Sequence, residues 1–316
     1  MLFVFLTGDI IVLLYQSEVN EYKTNNIYIQ WIVTYRCNYK CDYCYLRENK
    51  LLGKDSDVVS SVFDLGLKKI ANNLDISNCR FDIMGGEPTL HPNIEFLLNA
   101  ACKTGFNEVN LNTNGSLLEK HIKTLASYPN AKIILSYHPY KCDYDFEKLV
   151  SYIVQANVPL EVNVMFPPNC QLSYNMYDYL TNNYYNNVKT TIGLIMPLMY
   201  KEDEYHKLND LIKNNKHNNN RSFIFVYDDH IKRYTNEEIR LYGLNVFKGM
   251  RCFVKYFTID PNGKIDVLCN TNVLNSSFVC FDSTMSHINE IIYNGIVCEN
   301  DKCGCSIGYN FKKVKK

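Results

Sequence analysis

Cys37, Cys41 and Cys44 stand at C-x3-C-x2-C within the segment Thr34–Leu46 (TYRCNYKCDYCYL). Three thiols this close, on a segment that cannot remain a regular helix or strand if all three converge, suit one compact soft-metal centre. Cysteine thiolate is the standard ligand of iron–sulfur clusters. A cubane 4Fe–4S cluster takes three ligands from such a local triplet and leaves one iron open to something other than protein. Zinc is the competing occupant, but it would want a fourth Cys or His nearby, and no close C-x-x-C partner follows.

Downstream, Gly85-Gly86-Glu87-Pro88 and then Leu111-Asn112-Thr113-Asn114-Gly115 appear in that order, and the aromatic Tyr43 directly precedes Cys44. Together these resemble the signature of the radical S-adenosylmethionine (radical SAM) enzymes, over roughly residues 28–197. The resemblance implies a 4Fe–4S cluster on Cys37, Cys41 and Cys44 whose open iron chelates the amino and carboxylate groups of S-adenosyl-L-methionine (SAM). One electron then cleaves the sulfonium C–S bond, and the 5′-deoxyadenosyl radical takes a hydrogen from the substrate. It further implies that Gly85, Gly86 and Glu87 grip the methionine end of SAM and that Tyr43 lies by the adenine. Ser136 and Asn163 occupy positions where the family places polar contacts to SAM, and Asn112 and Asn114 would line the SAM or substrate pocket. An electron donor such as flavodoxin or ferredoxin is implied as partner.

By residue type alone, plainer readings stand beside these. Gly85 to Pro88 reads as a turn, although paired glycines also let backbone approach a ligand closely. Asn114 before Gly115 is an ordinary turn former, and Tyr43 is one of 25 tyrosines. His138 and Cys142 point from the same rim and are candidates for the substrate side, while a Tyr-His-Pro histidine also reads as structural.

The charge balance gives no footprint for nucleic acid: 33 basic and 33 acidic residues cancel to a formal net charge of zero over 316 residues. The basic run Lys312–Lys316 reads as a solvated terminus. Apolar residues make up 47%, enough for an ordinary globular core. Thirteen cysteines would suit a secreted disulfide protein, but their odd count and metal-ligand spacings favour reduced thiols and a cytoplasmic, oxygen-poor setting. Residues 1–15 are apolar, yet they lack a basic leading region and Asp9 interrupts them, so no membrane anchor is expected. Thr7-Gly8-Asp9 reads instead as a hairpin turn.

Strand and helix patterns alternate from residue 28, as βαβ units require. Strands are expected at 28–35, 81–84, 109–111, 133–137, 158–166 and 190–196. Val58, Val62, Phe63, Leu67 and Ile70 share one helical face, and a second helix is bounded by Pro92 and Gly105. A helix follows Gly115, and Phe146, Leu149, Val150, Ile153 and Val154 form the clearest helical stripe. Crossover helices make the strands parallel and the class α/β. Six units match the partial (β/α)6 TIM-like barrel that the resemblance implies. Every motif falls at the C-terminal end of a strand, where such barrels carry chemistry.

The run Lys213–Asn220 reads as a polar surface linker. Beyond it, Cys252 precedes an alternating stretch (253–259), the turn Asp260-Pro261-Asn262-Gly263 and a second strand ending at Cys269, a hairpin with a cysteine at each open end. Cys298, Cys303 and Cys305 follow. These resemble the cysteine-rich SPASM/twitch extensions of radical SAM enzymes, although the interval to Cys269 is longer and the tail array shorter. One auxiliary 4Fe–4S cluster is implied, on four of Cys252, Cys269, Cys298, Cys303 and Cys305, with a structural zinc as alternative. Cys79, Cys102, Cys170 and Cys280 read as small apolar residues.

The expected organisation is an N-terminal hairpin (1–27), a core barrel (28–200), barrel completion with a polar linker (201–250) and an auxiliary-cluster region (251–316). The expected function is reductive SAM cleavage and hydrogen abstraction, modifying a peptide or protein. Only about 27 residues precede the barrel, which leaves little for a leader-binding domain and weighs against a peptide. The alternative is dehydrogenation or epimerisation of a small sugar-like or aminocyclitol substrate. A non-catalytic zinc-binding interaction module is the reading from a different class, opposed by Glu87 with its two glycines.

Overall fold

A computed structural model describes residues 11–13, 27–54, 56–195, 200–214, 223–226, 231–234, 239, 241–266, 281–299 and 313–315. After the short strand β1 (Ile11–Leu13), alternation begins with β2 (Ile27–Thr34), the single turn α1 (Tyr45–Glu48) and α2 (Ser60–Asn73). It continues through β3 (Cys79–Gly85), α3 (Ile94–Thr104), β4 (Glu108–Thr113), α4 (Ile122–Ala126), β5 (Ala131–Tyr137) and α5 (Phe146–Gln155). β6 (Leu160–Phe166), α6 (Gln171–Tyr184), β7 (Val188–Leu194) and α7 (Glu202–Asn214) complete six units. Strands β2 to β7 lie side by side in chain order, every pair parallel. This is a partial (β/α)6 TIM-like barrel.

The sheet is two-faced because side chains alternate along a strand. Toward the helices lie Ile29, Trp31, Phe81, Ile83, Val109, Leu111, Ile133, Leu135, Val162 and Val164, all inaccessible to solvent. Trp31 meets Phe63 of α2 at 4.6 Å between ring centroids, and Phe81 stacks on Phe106 at 4.7 Å. Each such aromatic contributes on the order of 2–3 kcal/mol of burial. The opposite face is charged in its N-terminal half. Arg80 grips Asp82 through two nitrogens at 2.8 and 3.0 Å, Asn110 donates to Asp82 at 2.6 Å, and Lys132 and Lys189 meet Glu161 at 3.0 and 3.1 Å. These pairs fill the floor of the barrel and leave its chemistry to the C-terminal rim.

The later strands depart from the expected organisation. The next are β8 (Phe223–Val226), β9 (Ile231–Tyr234), β10 (Met250–Cys252), β11 (Tyr256–Ile259) and β12 (Ile265–Asp266). The anticipated hairpin is present, since β11 pairs antiparallel with β12 across Asp260–Gly263. It is not a separate unit, however: β11 also pairs parallel with β2, Tyr256 opposite Tyr28, and extends the barrel sheet to eight strands. Cys252 does not begin this hairpin. It lies on β10, in a second sheet ordered β13-β10-β14-β1-β8-β9 once β13 (Ile296–Val297) and β14 (Lys313–Lys315) are added.

The last helix, α8 (Phe281–Asn294), lies against α2. The turn expected at Thr7–Asp9 is outside the described residues, but Ile11–Leu13 is a strand pairing with β8 and β14. Of the run read as a linker, Lys213 and Asn214 close α7, and 215–220 are outside the described residues. Among the described residues no helix is long and apolar enough to cross a membrane.

Candidate metal centre

The cysteine loop leaves the C-terminal end of β2 and is pinned at its root. Arg36 donates from Nε to Asp57 Oδ1 at 3.1 Å, from Nη2 to Asp57 Oδ2 at 2.5 Å and from Nη2 to the Leu90 carbonyl at 2.8 Å. Thr34 Oγ1 donates to the same Asp57 at 2.6 Å. Fork-shaped pairing of guanidinium with carboxylate fixes orientation as well as charge. From that root the chain carries Cys37 and Cys44, both half-buried, and Cys41, which is buried. The Tyr39 amide donates to Cys37 Sγ at 3.3 Å, and the Cys44 amide to the Cys41 carbonyl at 3.2 Å.

Gly85 ends β3 and Gly86 follows it, both directly against this loop. The Gly86 amide donates to the Thr34 carbonyl at 2.8 Å and the Glu87 amide to the Arg36 carbonyl at 2.7 Å. A Cβ on Gly86 would stand 2.2 Å from the Arg36 oxygen and 3.0 Å from Cys37 Cβ, and one on Gly85 would stand 2.5 Å from the Thr34 oxygen. Their visible role is therefore close approach of backbone to backbone at the root of the cysteine loop.

Glu87 is fully buried. Its Oε1 accepts from the Thr89 amide at 3.1 Å and from the Thr89 and Thr113 hydroxyls, each at 2.6 Å, and its Oε2 accepts from the Asn114 amide at 2.7 Å. Burial pushes its pKa up, against the pull of those hydrogen bonds. The carboxylate is a staple between the ends of β3 and β4, and all the donors that hold it come from the protein. Glu87→Leu is accordingly expected to orphan two backbone amides and cost roughly 2–6 kcal/mol. Denaturant unfolding of the metal-free protein measures this, with Glu87→Gln, which keeps one acceptor, falling between. A loss under about 1 kcal/mol for the leucine variant would refute the staple.

The β4 end reaches the cysteine loop as well. Asn114 Nδ2 donates to Asn38 Oδ1 at 2.9 Å, Asn38 Nδ2 donates to Ser116 at 2.8 Å, and Tyr144 holds the Asn114 carbonyl at 2.7 Å. Asn114 is thus a structural link to the loop, and Asn38 and Ser116 were not singled out by sequence. Ser136 and Asn163 are register partners on β5 and β6, with Thr191 of β7 next in the row. They face the rim side of the sheet, half-buried, and Gly193 leaves the room that Asn163 Oδ1 occupies.

His138, at the end of β5, lies against the cysteine loop. Its ring stacks on Tyr43 (5.9 Å, 19°) and meets Tyr39 edge-on, while Nδ1 is 2.9 Å from the Tyr43 hydroxyl and 3.7 Å from Cys41 Sγ. Burial lowers its pKa to about 4, so the imidazole is neutral at pH 7. Cys142 Sγ sits 3.6 Å from the Tyr144 carbonyl in the same rim loop.

The loop fits an iron–sulfur cluster by its donor set. Three thiols share one short loop, one already receives a backbone N–H, and burial pushes Cys37 up to about 11 and also raises Cys41. Such thiols keep their protons until a metal displaces them. Among the described residues no three Cys, His, Asp or Glu side chains gather round a single-ion position. A cubane, which meets each thiolate at a separate corner, does not require them to.

Of the C-terminal cysteines, Cys269, Cys303 and Cys305 are outside the described residues, as is Cys280. Cys252 and Cys298 are both buried: Cys252 ends β10 opposite Ile296, and Cys298 follows β13 at the other end of the pair, its amide donating to the Met250 carbonyl at 2.9 Å. Cys79, on β3, and Cys102, on α3, are buried, and Cys170 is buried within electrostatic reach of Tyr43 and Tyr137 at the rim.

Residues 31–139 match the profile of the Radical SAM superfamily, a span that includes the triplet, the glycine turn and His138. That stretch is a radical SAM domain. Among curated proteins it resembles the antilisterial bacteriocin subtilosin biosynthesis protein AlbA of Bacillus subtilis, with 35% identity over 104 residues, 33% of this chain and 22% of AlbA. It also resembles a GTP 3′,8-cyclase of Staphylococcus epidermidis, with 32% identity over 143 residues, 41% of this chain and 38% of the cyclase. The chain thus matches well under half the length of these relatives. In fold it is similar to Streptococcus suis SuiB bound to S-adenosylmethionine (TM-score 0.56, 14% identity, 85% of this chain and 64% of SuiB). It is also similar to anSMEcpe with bound AdoMet (TM-score 0.57, 19% identity, 86% and 82%).

Proposed function

We propose that this radical SAM chain holds a 4Fe–4S cluster on Cys37, Cys41 and Cys44 and abstracts hydrogen from a peptide or protein substrate, drawing electrons from a donor such as flavodoxin or ferredoxin. The observation that carries it is the three-thiol loop at the rim of β2, bonded through Thr34 and Arg36 to Gly86 and Glu87. When bound, cluster and SAM together supply a 5′-deoxyadenosyl radical. The chain's own part is orientation: Arg36 with Asp57 fixes the loop, Glu87 fixes the ends of β3 and β4, and Ser136 and Asn163 offer neutral polar contacts to SAM from the rim. Tyr43 remains the candidate for the adenine side. His138, packed on the loop, is assigned away from substrate, and Cys142 stays a substrate-side candidate.

The peptide reading draws on the relatives. AlbA is named for bacteriocin biosynthesis, SuiB has been solved with the precursor peptide SuiA, and anSMEcpe with a Cp18Cys peptide. The likeness to a GTP 3′,8-cyclase favours a small-molecule substrate instead. Anaerobically reconstituted, reduced protein is expected to form 5′-deoxyadenosine from SAM, faster with a cell extract, and protease treatment of that extract should remove the stimulation. Stimulation that survives protease would favour the small molecule, and no 5′-deoxyadenosine at all would overturn the radical SAM reading.

We also assign one auxiliary cluster to four of Cys252, Cys269, Cys298, Cys303 and Cys305. A variant lacking the three loop cysteines should then stay brown and retain about four irons. A colourless variant with one zinc would make the site structural.

A further inference from the structure

His138 reaches the cysteine loop from another strand, 95 residues beyond Tyr43 in sequence, and meets it with both ring face and ring nitrogen. Nδ1 stands 2.9 Å from the Tyr43 hydroxyl and 3.7 Å from Cys41 Sγ, and that hydroxyl is itself within hydrogen-bonding reach of Cys41. Three polar atoms therefore converge at one corner of the triplet. Among the described residues neither Cys37 nor Cys44 has a comparable side-chain pair, and Cys37 receives a backbone amide.

A metal-bound thiolate has lone pairs and no proton, so it can only accept. If Nδ1 is bare, the Tyr43 proton is drawn to it and the sulfur loses that donor. If Nδ1 carries the ring proton, it donates toward Tyr43 oxygen and Cys41 sulfur, and the tyrosine proton is released toward the sulfur. Ligation of Cys41 thus selects the Nδ1–H tautomer. Hydrogen bonds to ligand sulfur are one of the levers that set cluster potentials, because donors stabilise the more negative, reduced state and raise the potential.

We propose that His138 and Tyr43 form a hydrogen-bond relay onto Cys41 Sγ that raises the reduction potential of the cluster held there. His138 is a positioning residue in this role: it acts on the cluster through the tyrosine and the sulfur. The inference rests on the triplet holding a cluster.

The test is a redox titration of the reconstituted full-length chain, followed by the electron paramagnetic resonance signal that SAM addition alters. Tyr43→Phe keeps the stacked ring and removes only the hydroxyl, and His138→Phe keeps a ring and removes the N–H. Each is expected to shift the midpoint to more negative potential, with the double variant shifted no further than the larger single. A Tyr43→Phe protein with normal iron and an unchanged midpoint would overturn the relay, as would additive shifts in the double variant. If His138→Phe fails to take up iron, Tyr43→Phe decides alone. A wild-type chain without iron or a SAM-sensitive signal would bring down the cluster reading as well. That outcome is distinguishable from a normal cluster indifferent to both substitutions.

Discussion

Replacing Cys37, Cys41 and Cys44 together by alanine is expected to remove about four irons from each reconstituted chain and to end 5′-deoxyadenosine formation. The loss should come from missing ligands and not from unfolding. The contacts that root the loop are Arg36 with Asp57 and Leu90, and the Gly86 and Glu87 amides on the Thr34 and Arg36 carbonyls. None of them uses a thiol. Only Cys41 is buried among the three, so the deleted sulfurs leave at most a small void, worth on the order of 1–2 kcal/mol. Iron analysis, SAM turnover and thermal unfolding of the metal-free variant separate the two causes. Full SAM cleavage by the triple variant would remove the assignment.

The second large effect is expected from Gly86→Val. The new Cβ would meet the Arg36 carbonyl at 2.2 Å and its carbon at 2.6 Å. Both are backbone atoms held by hydrogen bonds on either side, so no flexible side chain can swing away. The β3 end must lift from the loop, weakening the Gly86 and Glu87 amide bonds and displacing Cys37. A stability loss of about 3 kcal/mol or more belongs to this class of overpacking, and iron uptake should fall together with SAM affinity. This reverses what the paired glycines imply when read as room for a ligand, which would leave iron near wild type. Normal iron with weakened SAM binding would restore that reading.

The parts of the fold legible in sequence are those with a local cause. The stripe Phe146–Val154 gives α5, Gly105 at φ +97 stops α3, and Asp260–Gly263 turns the β11–β12 hairpin. α6 was less visible because its buried face is Ser173, Met176, Tyr177 and Leu180, only two of them plainly apolar. Docking of β11 on β2 has no local signature at all, since any strand with a free edge could have served. At the site, the cysteine spacing and the glycines were legible. The partners of Glu87 were not, because Thr113 and Asn114 become its neighbours only when β4 lies beside β3. His138 likewise acquired meaning only from β5 standing opposite the cysteine loop.

The pairing of Tyr28 with Tyr256 also sets a timetable for the cysteine loop. β2 leads into that loop, yet one of its two neighbours is made more than two hundred residues later. At ribosomal rates this is a delay on the order of ten to fifty seconds. Through that interval β2 presents an unpaired edge, the kind of surface that invites strands from other chains. The oxygen-sensitive thiols wait beside it. The arrival of β11 is therefore in competition with edge-to-edge association during synthesis, and slow decoding before residue 256 would weigh on yield of the assembled protein before any question of its chemistry arises.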